Sequence, residues 1–173
     1  LKPARERITE FKINWNIISW PGKEWAKRVF PNVSEQDAVK KLGDSIFHAS
    51  RITSDDPVAE WDNHNKNLRE KTDWLNSMNF ASLHYEGPGT SLEIGLADDH
   101  EWMGGASESQ NGIICNPNIP SEEVFTTPHA LKVNGKVCST KPLSYQGTLI
   151  QDIKVEFKDG KIIDASSSKG ENV

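Results

Sequence analysis

The chain has 173 residues, of which 35% are hydrophobic and 26% charged, and it carries a formal net charge of −5. Its mean hydropathy of −0.62 and pI near 5.6 describe a polar chain with enough apolar residues for a core. No apolar run reaches the roughly eighteen residues of a membrane-spanning helix, and the acidic balance speaks against general nucleic-acid binding, which leans on a Lys/Arg excess.

In chain order, Ile13 to Trp20 (INWNIISW) is apolar, β-branched and aromatic and stops at Pro21-Gly22, the pattern of a strand or extended lead-in. Lys23 to Phe30 can form two helical turns before Pro31. Ser34 is a good N-cap, with Glu35 and Asp37 placed to suit the helix dipole. Behind it Ala38, Val39, Leu42, Ile46, Phe47 and Ala49 recur at helical spacing and predict a helix to about Arg51. Asp55-Asp56-Pro57 is a second start signal, and Val58, Trp61, Leu68, Trp74, Leu75 and Met78 extend that helix to about Asn79. Ala81 to Tyr85 leads into the Gly87-Pro88-Gly89 turn, and Ser91 to Leu96 alternates apolar and polar like a half-buried strand. Asn134-Gly135 and Asp159-Gly160 each lie between apolar runs and predict two type I′ hairpins.

The composition shifts near residue 86: ten of the twelve glycines and all of the net negative charge lie beyond it. The expected fold is therefore α+β, with N-terminal amphipathic helices followed by a mainly antiparallel β-sheet or partial barrel. Residues 1–79 form the helical part and 80–173 the β-rich part, expected to make one structural unit. Two cysteines, Cys115 and Cys138, form neither a disulfide scaffold nor a Cys-based zinc site, so a reduced, cytoplasmic setting is the expectation.

Familiar chemical motifs are missing: there is no P-loop, G-x-G-x-x-G, G-x-S-x-G or HExxH. His48 and His64 read as solvent-facing or core-edge residues of the two helices. The turn Asp98-Asp99-His100-Glu101 could hold a cation weakly, or be a solvated loop. The six tryptophans (15, 20, 25, 61, 74 and 102) could form an aromatic platform, but among so many aliphatics they read as core packing. The most unusual stretch is Cys115 to His129, CNPNIPSEEVFTTPH. Three prolines hold it extended, and neighbouring side chains of an extended segment point to opposite faces. Only one of Glu122 and Glu123 can therefore face a given site. A surface loop or an acidic first turn capped by Ser121 is one reading; a carboxylate offered to a divalent cation is the other.

The run NPNIPSEEVFTTPH, followed by Val133-Asn134-Gly135 and by STKPLSYQG at Ser139 to Gly147, closely resembles the thermophilic-type metallo-aminopeptidases, the AmpS/PepS/AmpT group of bacterial two-metal exopeptidases. The likeness continues through LHYEGPGT at Leu83 to Thr90, Ile94-Gly95-Leu96, HEWMGG at His100 to Gly105, and FKDGK at Phe157 to Lys161. Upstream, Trp25-Ala26-Lys27, Val29-Phe30-Pro31, Asp56-Pro57-Val58-Ala59 and the helix bearing Trp61, His64 and Asn65 also fit, so it extends from Ile8 to Glu171. Ser91, where the family has Asp after the GPGT turn, is a departure at no site residue.

The resemblance implies a central segment of a larger metal-dependent aminopeptidase. Such an enzyme hydrolyses the N-terminal residue of peptides with a free N-terminus, using water activated by two divalent ions, zinc, cobalt or manganese. Of the family's metal ligands only Glu123 has a matching position; the remaining glutamate, histidines and aspartate, and the site's tyrosine, are expected beyond Val173. The opening on Leu1 without a start methionine, and the polar run Ser166 to Asn172, fit a piece of a longer protein; the lack of a basic-then-apolar leader speaks against a retained signal peptide. The resemblance further implies a homodimer that engages neither nucleic acid nor membrane, and an isolated segment without activity. The competing expectation is a non-catalytic β-rich dimerisation or peptide-binding module related to these enzymes by ancestry.

Overall fold

The computed structural model describes residues 2–170; Leu1 and residues 171–173 lie outside them, and with them the ends of the polar run and of the stretch of likeness. The helices are α1 (Lys2–Thr9), α2 (Lys23–Val29), α3 (Glu35–Ala49) and α4 (Pro57–Met78), with the two-residue strand β1 (Ile17–Ile18) between the first two. Twelve strands follow: β2 (Ser82–Gly87), β3 (Thr90–Leu96), β4 (Met103–Gly104), β5 (Ser107–Glu108), β6 (Ile114–Cys115), β7 (Asn118–Ile119), β8 (Val124–Phe125), β9 (Pro128–Cys138), β10 (Leu143–Tyr145), β11 (Thr148–Ile150), β12 (Lys154–Lys158) and β13 (Lys161–Ser166). The fold class is α+β, as the residue pattern predicts. The chain forms two compact units, one comprising the residues up to Trp74 with Met103–Phe125, the other Leu75–Trp102 with the chain from Thr126 onward.

In the first unit, α3 begins where expected. Ser34 Oγ accepts from the Asp37 amide at 3.2 Å and its hydroxyl donates to Asp37 Oδ2 at 2.6 Å, satisfying one of the orphan donors of the first turn. Ala26 of α2 packs with Ala38, Leu42 and Ile46 of α3 into a buried cluster, flanked by Phe30, Val39 and Phe47. Across the rim of that contact Lys23 and Lys27 reach Glu35 at 2.9 and 2.7 Å. Asp56 Oδ1 accepts from the Ala59 amide at 3.0 Å and caps α4. Trp61, Leu68 and Thr72 of α4 are buried, and with Asn65 they form one stripe at helical spacing. Leu68, 1% exposed, contributes about 2 kcal/mol by leaving water.

The second unit is built on a five-stranded antiparallel sheet, ordered β13-β12-β9-β3-β2, with no closed barrel. Leu92 and Leu96 of β3 are buried, which realises the alternation read from Ser91 to Leu96. Asp159 and Gly160 take left-handed conformations, φ 49° and 76°, and join β12 to β13 as a type I′ turn does.

Three expectations are corrected. Asn134-Gly135 is no hairpin turn: β9 runs unbroken from Pro128 to Cys138, and Gly135 sits between Leu92 of β3 and Phe157 of β12. A Cβ on Gly135 would lie 2.2 Å from the Ser91 carbonyl oxygen, and its φ is 112°, so glycine is there for close backbone approach in a central strand. The INWNIISW stretch is a strand only at Ile17–Ile18, because its one partner is the equally short β7. Trp20, Trp25 and Trp74 are not core: they are 72%, 44% and 56% exposed, whereas Trp61 is buried. The residue pattern also gave no sign of α1.

Candidate functional site

The segment from Ile114 to Phe125 has little regular structure of its own, so its backbone groups must be satisfied by other parts of the first unit. β7 pairs in parallel with β1, and the Ile17 amide donates to the Pro117 carbonyl at 2.8 Å. β6 and β8 pair with β5 and β4. Asn65 of α4 and Asn116 exchange side-chain hydrogen bonds of 3.0 and 2.8 Å. Asn65 Oδ1 also accepts from the Ala106 amide at 3.1 Å, so one buried-face amide ties two loop segments to the helix.

Further along, Ser121 and Glu122 are held by side chains from α4 and the end of α3. His64 Nε2 lies 2.6 Å from the Ser121 carbonyl oxygen. A carbonyl only accepts, so Nε2 carries the proton. Arg51 donates two parallel bonds to Glu122, Nη1 to Oε1 at 2.5 Å and Nη2 to Oε2 at 3.0 Å, the fork geometry that favours arginine over lysine. Its guanidinium stands 5.7 Å from the Trp61 ring centroid. Trp61 in turn meets His64 edge-to-face at 5.4 Å and donates from Nε1 to the Ser50 carbonyl at 2.8 Å. The hydrogen bonds from Arg51 hold the Glu122 carboxyl below its ordinary range against an opposing desolvation effect, and the same pair raises Arg51.

Arg51 reaches this place through an unusual backbone. α3 ends at Ala49 with Ser50 as C-cap, and Arg51 follows at φ 58°. The Arg51 amide donates to the His48 carbonyl and the Ile52 amide to the Phe47 carbonyl, the paired bonds of a Schellman ending whose left-handed position usually takes glycine. An arginine there carries backbone strain of order 1 kcal/mol or more.

Glu123, the candidate ligand, is the neighbour that these contacts leave open. It lines a cavity of about 410 Å³ with Phe11, Trp15, Met103, Phe125 and Glu108. Its carboxylate has no hydrogen-bond or ion-pair partner among the described residues. Glu122 is absent from that lining, whereas both carboxylates border a neighbouring cavity of about 380 Å³ with Ile17, Ile18 and Ser19. The segment forms no helical first turn at Ser121; residues 121–123 have no regular structure before β8 begins at Val124. No group of three or more His, Cys, Asp or Glu side chains converges among the described residues. The donor chemistry of this chain thus fits one ligand position of a divalent site, not a complete one. His48 is exposed, His84 pairs with Glu86 at 2.7 Å, and His100 Nδ1 lies 3.0 Å from the Ala97 carbonyl oxygen. No helix among the described residues is long and apolar enough to cross a membrane.

Arg51 and the Asn65–Asn116 pair were not found from the sequence as site residues. Arg51 is 71 positions from Glu122 and sits in a turn where arginine has no pattern to betray it.

The thermophilic metalloprotease (M29) family model matches residues 1–173. The chain is 46% identical over 172 residues to aminopeptidase T of Thermus thermophilus, covering 99% of this chain and 42% of that protein. It is 46% identical over 156 residues to aminopeptidase 2 of Geobacillus stearothermophilus, covering 90% of this chain and 38% of that protein. Among solved structures, wild-type AmpT from Thermus thermophilus superposes with a TM-score of 0.91 at 44% identity, over 99% of this chain and 42% of that one. The chain therefore spans well under half the length of these relatives.

Proposed function

Since the chain belongs to the thermophilic metalloprotease (M29) family, we propose that it is the part of a metal-dependent aminopeptidase that contributes Glu123 to the metal site. Two divalent ions, zinc, cobalt or manganese, supply an activated water when bound in such a site. The substrate is a peptide with a free N-terminus, and the whole protein works as a cytoplasmic homodimer.

The observation that carries the assignment of Glu123 is the division of labour in the Glu122-Glu123 pair. Glu122 is taken up by the Arg51 fork, whereas Glu123 lines a cavity and has no hydrogen-bond or ion-pair partner among the described residues. A carboxylate beside a partly apolar cavity, without a partner among the described residues, is the arrangement expected of a group reserved for a cation. Phe11, Trp15, Met103 and Phe125 supply the apolar part of that lining.

The test uses the protein that contains this segment, loaded with zinc or cobalt and offered a peptide and its N-acetylated form. Release of the first residue from the free peptide alone is expected, together with metal loss and at least a hundredfold lower rate in Glu123→Gln. Unchanged metal content and rate in that variant refute the ligand assignment. A metal-free protein with no peptidase activity, yet still binding peptide, supports the non-catalytic module instead.

A further inference from the structure

We propose that Arg51 is a positioning residue for Glu123: by clamping Glu122 it fixes the irregular segment 121–123 so that the next carboxylate is presented to the cavity. The proposal rests on the reading of Glu123 as a metal ligand and adds what holds it in place.

Three independent contacts grip the segment upstream of Glu123. Asn65 pairs with Asn116, His64 binds the Ser121 carbonyl, and Arg51 takes both oxygens of Glu122. The first holds the Asn116 side chain and the second the Ser121 carbonyl. The third grips the residue immediately before Glu123, with two bonds rather than one, and so is the anchor nearest the cavity-lining carboxylate. A bidentate fork constrains rotation about the carboxylate as a single bond cannot. Arg51 is itself steadied by the Trp61 ring, which is buried and hydrogen-bonded to the backbone of the same turn.

The energetics separate this role from plain stabilisation. The Glu122 side chain is 60% exposed, so the pair adds little to folding stability. The left-handed backbone at Arg51 would be relaxed by glycine, which the Schellman turn prefers. Strain retained beside a weakly stabilising pair is accounted for by what the pair orients. Partners that orient a ligand characteristically control metal affinity by about 10- to 100-fold.

The experiment compares Arg51→Lys, Arg51→Gly, Glu122→Gln and Glu123→Gln in the metal-loaded protein that contains this segment. It reads zinc affinity by chelator competition, Tm, and amide hydrogen exchange across Ser121–Val124 without metal. Arg51→Lys keeps the charge but loses the fork; Arg51→Gly relaxes the turn; Glu122→Gln breaks the pair from the other side. All three are expected to weaken zinc binding about tenfold and to speed exchange in the segment, with Tm within a few degrees of the parent. Zinc loss in Glu123→Gln, with parent-like affinity and exchange in the other three, overturns the positioning role and leaves the ligand reading intact. Retention of zinc by Glu123→Gln overturns both. Affinity losses that merely track losses in Tm overturn the proposal as well, since they mark a general role in folding.

Discussion

Glu35 sits at the rim of α3, partly open to solvent, and its carboxyl is held down at about 2, first by the hydrogen bond from Lys27 and then by Lys23. The ordinary value is 4.5, so the folded state binds this proton less readily than the unfolded one. Its contribution to stability is therefore complete above pH 4.5 and is lost as the pH falls from there towards 2. Because the group faces solvent, the effect is modest and screened by salt. Thermal melts of Glu35→Gln against the parent should differ at neutral pH and low salt, converge near pH 2, and converge again at high salt. Melting curves that stay parallel across that range would show that the Lys23–Glu35–Lys27 contact does not persist in solution. At the same scale, the contrast between Glu122 and Glu123 shows what the residues alone disclosed. Alternation predicts that one of the pair faces a site; the contact that engages Glu122 comes from an arginine 71 positions away, and no local spacing encodes that.

Elements with strong local signals follow the sequence closely. α3 and α4 start at their Ser34 and Asp56 caps because short polar side chains satisfy the first amides wherever the helix later packs. The Asp159-Gly160 turn forms because both residues tolerate the left-handed region. Asn134-Gly135 carries the same signature and forms no turn, because strands on both sides of β9 occupy the space a hairpin would need. Tertiary pairing decides between two uses of one dipeptide. Gly135→Ala is accordingly expected to cost about 3 kcal/mol or more in urea unfolding, since the added Cβ meets backbone on a neighbouring strand that cannot yield. Gly22→Ala, where nothing lies within 4 Å of the added carbon, should change stability by less than about 1 kcal/mol. Equal effects at the two sites would contradict the close packing of β3 on β9.

Across the whole chain, the accessible surface is 12624 Å². Two separate globular units of half this mass would together expose about 10,200 Å². The excess has an apolar component: Ile17, Ile18, Trp20, Ile114 and Met103 are all more than half exposed. Such surface normally marks a contact with further protein, and the chain covers only 42% of aminopeptidase T. The 173 residues purified alone are therefore expected to bind a hydrophobic dye, to hold zinc no more tightly than a single carboxylate can, and to release no amino acid from peptides. Tight zinc binding by the isolated chain would mean that its own residues rearrange into a complete site. Trp20, Trp25 and Trp74 depart from the core reading, while Trp61 is buried and Trp15 and Trp102 are half-buried: an indole beside aliphatics looks like core in the sequence, and only the surrounding surface decides whether it is covered.

The placement of Asn134-Gly135 inside β9 also bears on how the protein ages. Asparagine followed by glycine is the pair most prone to spontaneous loss of the side-chain amide, because the glycine nitrogen can swing round to attack it. Here the Asn134 side-chain oxygen Oδ1 accepts from the Asp159 amide at 2.8 Å, and the Gly135 backbone is locked between two strands. The attack is shut off while the sheet is formed and becomes open when it is not. Asn134 is thus a chemical clock wired to the sheet, and the acid accumulating at that one position records how long each molecule has spent unfolded.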